Sequence, residues 1–252
     1  MTEHCRSSRW EPNEYDSQKF GGLFGRYLRD MEVEAFVSMM RGLRGSVADI
    51  GTGTGKLALE LARIFYPVVA VDGSLDMIEF ARARAATGRL RVEFMISSAE
   101  HLCFVNEAFD GVVSSRLLMH VSDWKVGIGE LCRIAGAVLI LDFPPVFSFS
   151  GLDALFMGLK RRLFGGAETY TVFPIREVLR EIRSHDFEVL EVKKGFCLPL
   201  AFHRWLDRPE VSSRLEKLGA RLGLVQLFGS PVTVKAVRNA CAKGMMASRW
   251  AP

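Results

Sequence analysis

The chain has 252 residues, of which 49% are hydrophobic and 25% charged, a balance typical of a soluble globular protein. The formal net charge is +4 without a block of five or six like charges, which excludes a dedicated nucleic-acid arm but leaves a basic face for anionic lipid or nucleic acid as an alternative. Five scattered cysteines without a CxxC pair argue against disulfides and zinc and suit the cytoplasm, and no 18-residue apolar run predicts a transmembrane helix.

In the first part of the chain, short apolar runs alternate with helical patterns. A helix is predicted over 15–40, before the first strand. The predicted strands that follow are 47–50, 68–71, 92–96 and 109–114. The predicted helices between them are 57–64, 75–86, where Ser74 is placed to cap, and 124–133.

The second part begins with a fully apolar fifth strand, 137–143, which Pro144 and Pro145 end. The following segment, 148–173, is rich in large apolar residues and is predicted to be a helical lid inserted after strand 5. Further elements are predicted as helix 175–184, strand 187–192, helix 209–222 and strand 232–237. Strands separated by helices of about a dozen residues indicate an α/β fold with a buried parallel sheet.

The glycine-rich turn after the first strand, Asp49 to Lys56, is typical of nucleotide sites, but it does not fit the two phosphate-binding patterns. A P-loop has four residues between its glycines and a Ser or Thr after the lysine, whereas Gly51 and Gly55 enclose three residues and Leu57 follows Lys56. The dinucleotide pattern GxGxxG places its third glycine where Lys56 stands. Lys56 is therefore predicted to face solvent in the first turn of the next helix.

The stretch DIGTGTG, residues 49–55, resembles motif I of class I S-adenosylmethionine-dependent methyltransferases. Glycines let the turn press its backbone against a ligand, and Asp49 at the strand end can accept a hydrogen bond from an ammonium group. Asp72 ends the second strand, where the family places an acid on both ribose hydroxyls. Met77 stands where the family packs an apolar side chain on adenine, with ordinary core packing as the alternative.

The stretch SSAEHLCF, residues 97–104, resembles the family's segment after the third strand but departs from it in two places. Ser98 stands where an Asp commonly contacts the adenine amino group, and Cys103 replaces a proline. Adenine contact is therefore expected from Ser98, the Ala99 backbone or Glu100. The fourth strand with its SS end, 109–115, also matches the family, so the resemblance covers about residues 47 to 143 well.

This resemblance implies a Rossmann-like fold and S-adenosylmethionine as the cofactor. The expected fold is a seven-stranded, mostly parallel sheet of order 3-2-1-4-5-7-6, with the last strand antiparallel and helices on both faces. Residues 1–42 would form an N-terminal helical cap and 43–252 the methyltransferase domain. No metal is implied. The cofactor-binding residues implied are Asp49, Gly51, Thr52, Gly53, Gly55, Asp72, Gly73, Met77, Ser98, Ala99, Glu100 and Ser115.

The expected reaction is methyl transfer to an oxygen or carbon of a hydrophobic small molecule or lipid-like acceptor, as in the quinone and natural-product branch of the family. His120, after the fourth strand, is the candidate general base, with a structural role as the alternative. His203 and Tyr15 are weaker candidates. The sequence DFPP at 142–145 resembles a base-methylating motif, but it follows the fifth strand instead of the fourth, which disfavours a nucleic-acid acceptor.

Two rival functions stay open, an RNA or other nucleic-acid methyltransferase and a non-catalytic S-adenosylmethionine-binding module. Lys160-Arg161-Arg162 beside apolar residues favours a peripheral membrane contact for an otherwise cytoplasmic protein, with packing on the domain as the alternative. The acceptor atom, the oligomeric state and the pathway cannot be read from the sequence.

Overall fold

The computed structural model describes residues 11–148, 171–198 and 200–241. The predicted lid at 148–173 thus lies outside the described residues except at its two ends, and so does the basic segment at 160–162. In the described part of the chain, no helix is long and apolar enough to cross a membrane.

One seven-stranded sheet organises the molecule, in the order β3-β2-β1-β4-β5-β7-β6. β1 to β5 run parallel, and β7 runs antiparallel to both β5 and β6. The predicted fold class, strand order and antiparallel last strand are confirmed. The strands are β1 Val47–Ile50, β2 Val68–Asp72, β3 Glu93–Ile96, β4 Phe109–Ser114, β5 Ala135–Phe143, β6 Phe187–Phe196 and β7 Ser230–Arg238.

Helices cover both faces of the sheet, which explains why its central strands are apolar on both sides. Along β1, Val47 belongs to one apolar cluster and Ala48 to another, because successive side chains point to opposite faces. The described helices are α1 Pro12–Phe20, α2 Gly22–Met39, α3 Lys56–Leu61, α4 Leu75–Gly88, α5 Trp124–Ile134, α6 Ile175–Ser184, α7 Leu200–Leu206, α8 Pro209–Arg221 and α9 Leu224–Phe228, with a 3-10 turn at Leu118–His120. Ser74 caps α4 as predicted, its hydroxyl accepting a hydrogen bond from the Met77 amide.

The single helix predicted over 15–40 is wrong, because the chain breaks between α1 and α2 at Gly21 and Gly22. Gly21 is extended and Gly22 has φ = 75°. A Cβ on Gly22 would lie 2.7 Å from Asp207 Oδ1, and that same oxygen accepts a hydrogen bond of 2.8 Å from the Phe24 amide. Asp207 therefore supplies from a distant part of the chain the cap that α2 lacks locally.

α2 packs directly on the rest of the domain. Phe36 and Met39 belong to the apolar cluster that also contains Leu57 of α3. At the other end of α2, the Phe24 ring stacks on His203 of α7 with 4.8 Å between ring centroids. The boundary between residues 42 and 43 stays a prediction, and α2 itself shares the core of the sheet.

Candidate functional site

The carboxyl ends of β1 to β4 meet at one edge of the sheet, and the glycine turn between β1 and α3 lies there. Gly51, Gly53 and Gly55 have φ of 77°, 53° and 80°, a left-handed conformation that only glycine adopts at low cost. A Cβ on Gly51 would lie 2.8 Å from the Leu117 side chain, and one on Gly55 would lie 2.7 Å from the Ala81 Cβ, whereas one on Gly53 would meet nothing within 4 Å. The outer two glycines are therefore required by packing, and the middle one faces open space.

Asp49 is the last residue but one of β1, close to this turn, and is fully buried. Its Oδ2 accepts a hydrogen bond of 2.7 Å from the Thr52 hydroxyl. Burial raises the pKa of Asp49 to about 7, the Thr52 hydrogen bond lowers it, and the neighbouring Asp72 raises it. A buried carboxyl in this state gains from a cationic partner, because a positive charge nearby favours its ionised form.

Asp72 ends β2 and holds the glycine turn in place. Its Oδ2 accepts a hydrogen bond of 2.8 Å from the Gly53 amide, and its Oδ1 accepts one of 2.9 Å from the Ser74 amide. Burial raises the pKa of Asp72, while these backbone donors lower it. The Gly73 amide also donates to this carboxylate, so about one lone pair stays available for a further hydroxyl donor.

The predicted adenine-contact segment follows β3 and lies beside Asp72. The Ser97 amide donates to the Asp72 carbonyl at 3.1 Å, which fixes the start of this segment. The Ser98 hydroxyl accepts a hydrogen bond of 3.3 Å from the Glu100 amide, and Glu100 Oε1 accepts one of 2.7 Å from the Asp123 amide before α5. One oxygen of Glu100 is therefore occupied by the start of α5, a contact that the sequence did not reveal.

The other predicted cofactor residues lie around the same edge. Met77 is buried at the start of α4, and Ala99 packs against the apolar cluster beneath the sheet edge. A Cβ on Gly73 would have the Ser97 carbonyl oxygen as its nearest neighbour, at 3.9 Å. The Ser115 hydroxyl donates to Asp142 Oδ2 at 3.4 Å. The structure thus brings the predicted residues together at one edge of the sheet, and their roles toward a cofactor stay predictions.

A charge cluster beside the turn was missed by sequence reasoning. Its Asp142 carboxyl is buried, while the side chains of Arg116 and Glu32 are 22% and 13% exposed. Arg116, just after β4, pairs with Glu32 of α2 at 3.3 Å, and its amide donates to Asp142 of β5. Burial alone would lower the pKa of Arg116, but the surrounding acidic groups, Glu32 first among them, raise it above its ordinary value. Burial, reinforced by Glu32, raises the pKa of Asp142 to about 7. Only the position of Arg116 at a strand end hinted at this cluster.

A cavity of about 60 Å³ lies between the first two helices and the glycine turn. Residues of both charges line it together with backbone of the turn. The lining residues are Tyr15, Arg29, Glu32, Val33, Phe36, Asp49, Gly51, Thr52, Gly53, Thr54, Lys56, Leu57, Ser115 and Arg116. This polar cavity is therefore bordered by four of the predicted cofactor residues of β1 and the turn, and by Ser115 just after β4.

Asp16 connects α1 to the glycine turn, α3 and α4 next to this cavity. Its Oδ1 lies 2.8 Å from both the Thr54 hydroxyl and Lys56 Nζ, and its Oδ2 lies 3.3 Å from Arg84 of α4. The prediction that Lys56 faces solvent is wrong, since its side chain is only 12% exposed. Burial lowers the pKa of Lys56 to about 8, although Asp16 raises it. A partner 40 positions away along the chain was not visible in the sequence.

The candidate bases are dispersed. His120 is exposed at the end of the 3-10 turn and does not line the cavity, whereas Tyr15 does. His203 is fully buried, with its Nε2 2.7 Å from Glu216 Oε1. His120 therefore stays a predicted base, and the described contacts of His203 connect α7 to α8 and α2.

A larger groove of about 940 Å³ runs along α2, α3 and α4. It contains basic and acidic side chains in nearly equal number, including Arg63 and Glu60, but neither Asp49 nor Asp72 borders it. The chemistry of the strand ends, and not the size of a cavity, therefore locates the candidate site.

Comparison with known proteins agrees with this arrangement. Residues 47–135 match a family model described as a methyltransferase domain. The chain is 35% identical over 170 residues to a ubiquinone/menaquinone biosynthesis C-methyltransferase of Geobacter sulfurreducens, covering 60% of this chain and 64% of that protein. It is 30% identical over 142 residues to a ubiquinone biosynthesis O-methyltransferase of Mesorhizobium japonicum, covering 52% of this chain and 56% of that protein.

Residues 47–135 are therefore assigned to a methyltransferase domain. Among solved structures, the magnesium protoporphyrin IX methyltransferase of Synechocystis PCC 6803 with bound SAH shares the fold, with a TM-score of 0.62 at 18% identity over 89% of this chain and 87% of that one. The [4+2]-cyclase SpnF shares it with a TM-score of 0.57 at 20% identity, over 85% of this chain and 80% of that one.

The chain spans between about half and two thirds of the length of the curated relatives it matches, namely 56%, 47% and 64% of the first three. The matched family region ends at residue 135, so it includes β1 to β4 and stops before most of β5, β6 and β7. The segments that would contact an acceptor therefore lie largely outside the family match.

Proposed function

We propose that this chain transfers a methyl group from S-adenosylmethionine to an oxygen or carbon of a hydrophobic, quinone-like small molecule. The observation that supports binding of the cofactor is the open space at Gly53, whose amide donates to Asp72 and whose neighbour Thr52 donates to Asp49. A backbone turn free of side chains and flanked by two acids fits a ligand that carries an ammonium group and ribose hydroxyls. It does not fit a phosphate, which two neighbouring carboxylates would repel.

Each end of the cofactor has matching groups in the chain. Asp49 would accept a hydrogen bond from the ammonium group, and the polar cavity of about 60 Å³ beside it suits an amino-acid end better than a whole nucleoside. Asp72 would accept a hydrogen bond from a ribose hydroxyl through the lone pair that its three backbone donors leave available. Ser98, Ala99 and Glu100, on the far side of Asp72, would contact adenine, where Glu100 has one carboxylate oxygen left for a donor.

When bound, S-adenosylmethionine supplies an electrophilic methyl group on a sulfonium. The chain then needs to orient the acceptor in line and to exclude water, and orientation of this kind contributes roughly 7–11 kcal/mol. The rigid turn, fixed by Asp72 and by the packing of Gly51 and Gly55, supplies a fixed reference for that geometry. A base is required only where a hydroxyl must lose its proton, and His120 is our candidate for that role.

The acceptor half rests on the relatives and on the predicted apolar insertion. One relative is named as a C-methyltransferase and another as an O-methyltransferase of quinone biosynthesis, so the acceptor atom can be either element. The residues predicted to form the lid, 148–173, are rich in large apolar side chains, which favours a hydrophobic or lipid-like acceptor. Such an acceptor would place the protein in the cytoplasm, at or near a membrane surface.

Isothermal titration calorimetry with S-adenosylhomocysteine tests the proposed cofactor site. We expect the unmodified chain to bind and Asp72→Ala to bind at least tenfold more weakly, because the ribose loses its acceptor. Asp76→Ala is the matched control, since Asp76 lies four residues further along at the start of α4 and outside the candidate set. Equal affinity of Asp72→Ala and the unmodified chain would overturn the site assignment.

Methyl transfer from isotope-labelled S-adenosylmethionine tests the proposal that the acceptor is a hydrophobic, quinone-like molecule. A polyprenylated phenol or quinol is expected to acquire label, and RNA is not. Label on RNA that falls steeply with added salt would favour the nucleic-acid alternative. Binding of S-adenosylhomocysteine without transfer to any apolar acceptor would favour the non-catalytic module. A cyclase shares this fold, so this outcome is worth testing.

A further inference from the structure

Helix α8, Pro209–Arg221, has its polar side toward the protein. Ser212 and Gly219 are buried, and Glu216 between them is half-buried. Glu216 accepts hydrogen bonds of 2.8 and 3.0 Å from the amides of Cys197 and Leu198, and its Oε1 lies 2.7 Å from His203 Nε2. These contacts fix the orientation of the helix through polar groups, where an ordinary surface helix would bury an apolar stripe.

The apolar side of α8 faces outward. Val211, Leu218 and Leu222 are 37%, 53% and 67% exposed, and their spacing of seven and four residues places them in one row. Trp205 of the neighbouring α7 is 79% exposed, and Leu227 of α9 is 61% exposed. Large apolar side chains are thus exposed on α8 and on both helices that contact it, α7 and α9.

A basic row runs beside the apolar row. Arg214, Lys217 and Arg221 are exposed at spacings of three and four residues, so they follow the same direction along the helix. The exposed Glu210 stands at the N-terminal end of this row, where it also favours the helix dipole. The row therefore has a positive net charge next to the apolar residues.

We propose that the outer face of α8, with Trp205 beside it, docks on an anionic phospholipid membrane. An apolar row next to a basic row fits the boundary between acyl chains and negatively charged headgroups, and tryptophan is favoured at that depth. Charge complementarity selects a lipid surface over a second copy of this chain, because two such faces would oppose their basic rows. The proposal adds a membrane site to the proposed function without depending on it.

Cosedimentation with vesicles tests the docking surface. The full chain is expected to bind vesicles of phosphatidylglycerol and phosphatidylcholine, and to bind pure phosphatidylcholine only weakly. The triple variant Arg214→Gln, Lys217→Gln, Arg221→Gln should lose affinity by roughly fivefold per charge. The double variant Leu218→Ser, Leu222→Ser should lose at least about tenfold, because two apolar insertions are removed.

Matched variants outside α7, α8 and α9 separate this site from a general effect. Arg41→Gln, Arg82→Gln, Arg91→Gln removes three exposed charges elsewhere, and Val105→Ser removes an exposed apolar group. Both should bind vesicles like the unmodified chain, and all variants should keep its unfolding temperature. No binding to anionic vesicles, or equal loss in control and test variants, would overturn the proposal. So would a stable dimer that Leu218→Ser, Leu222→Ser makes monomeric.

Discussion

The Asp16 carboxylate of α1 lies 2.8 Å from Lys56 Nζ, at the first residue of α3. The same carboxylate contacts the Thr54 hydroxyl within the glycine turn. α1 is therefore joined by side chains to the loop that forms the candidate cofactor site. Because Lys56 is largely buried, its charge depends on this acid, and movement of α1 is coupled to the electrostatics of the turn.

Asp16→Asn should release α1 from the turn, since it removes the charge that pairs with Lys56 and Arg84. We expect hydrogen exchange of the amides in 12–20 to rise by about tenfold, as local opening becomes easier. Mass-spectrometric exchange of the intact chain measures this. Asp30→Asn, at an exposed pair with Arg29, is the control and should change little. An exchange profile for Asp16→Asn equal to that of the unmodified chain would contradict the coupling.

The cluster of Glu32, Arg116 and Asp142 should be costly to break. Arg116→Met leaves the buried Asp142 and the partly exposed Glu32 without their cation, so the free energy of unfolding should fall by about 2–3 kcal/mol. Urea denaturation followed by circular dichroism measures it. Arg63→Met removes a similar ion pair with Glu60 at the surface and should cost at most about 1 kcal/mol. Comparable losses in both variants would show that the cluster is not a partly buried ionic unit.

Cofactor binding should weaken as the pH falls below neutral. The pKa of Asp49 is about 7 in the free protein, and a cationic ammonium partner favours its ionised form. Below the pKa the free protein must lose a proton on binding, so the Kd for S-adenosylhomocysteine should rise by up to about tenfold per pH unit. Between about pH 7 and 8, as Asp49 becomes ionised while the ligand ammonium keeps its proton, the Kd should level off.

The pH dependence of S-adenosylhomocysteine binding to Asp49→Asn identifies the group responsible for the change in Kd. Asp142 also has a pKa raised to about 7, and Lys56 one lowered to about 8, so the unmodified profile alone is ambiguous. Asp49→Asn should bind more weakly at every pH and lose the dependence between about pH 6 and 8. A variant that keeps the full dependence would assign it to another group.

The parallel core was predictable from the sequence because local pattern decides it. The strand β1 is bounded by the glycine turn as predicted, and the hydroxyl of Ser74 caps α4 as its residue type suggests. Buried runs separated by amphipathic helices leave few alternatives to a doubly covered sheet. The order of the strands followed from the family resemblance and is confirmed.

The errors concern contacts between distant parts of the chain. The break between α1 and α2 depends on Asp207, and the burial of Lys56 depends on Asp16, and neither partner is near in sequence. Helix α7 was not predicted. Its His203 is fully buried against Phe24, and a buried histidine is not marked by an apolar pattern. Propensity and pattern describe one segment at a time, so they do not identify such long-range partners.

The central claim is that an S-adenosyl ligand occupies the open space at Gly53, and a pair of alanine variants tests it. Gly53 and Gly42 have φ of 53° and 86°, and a Cβ on either would meet nothing within 4 Å. Gly53→Ala and Gly42→Ala should therefore lose similar stability, about 1–2 kcal/mol, from the left-handed backbone alone.

Calorimetric titration of these two variants with S-adenosylhomocysteine is the most direct measurement. The claim predicts that Gly42→Ala binds like the unmodified chain and that Gly53→Ala binds at least tenfold more weakly, because its methyl group enters the ligand space. Equal affinity of the two variants, or an unmodified chain that does not bind S-adenosylhomocysteine, would contradict it.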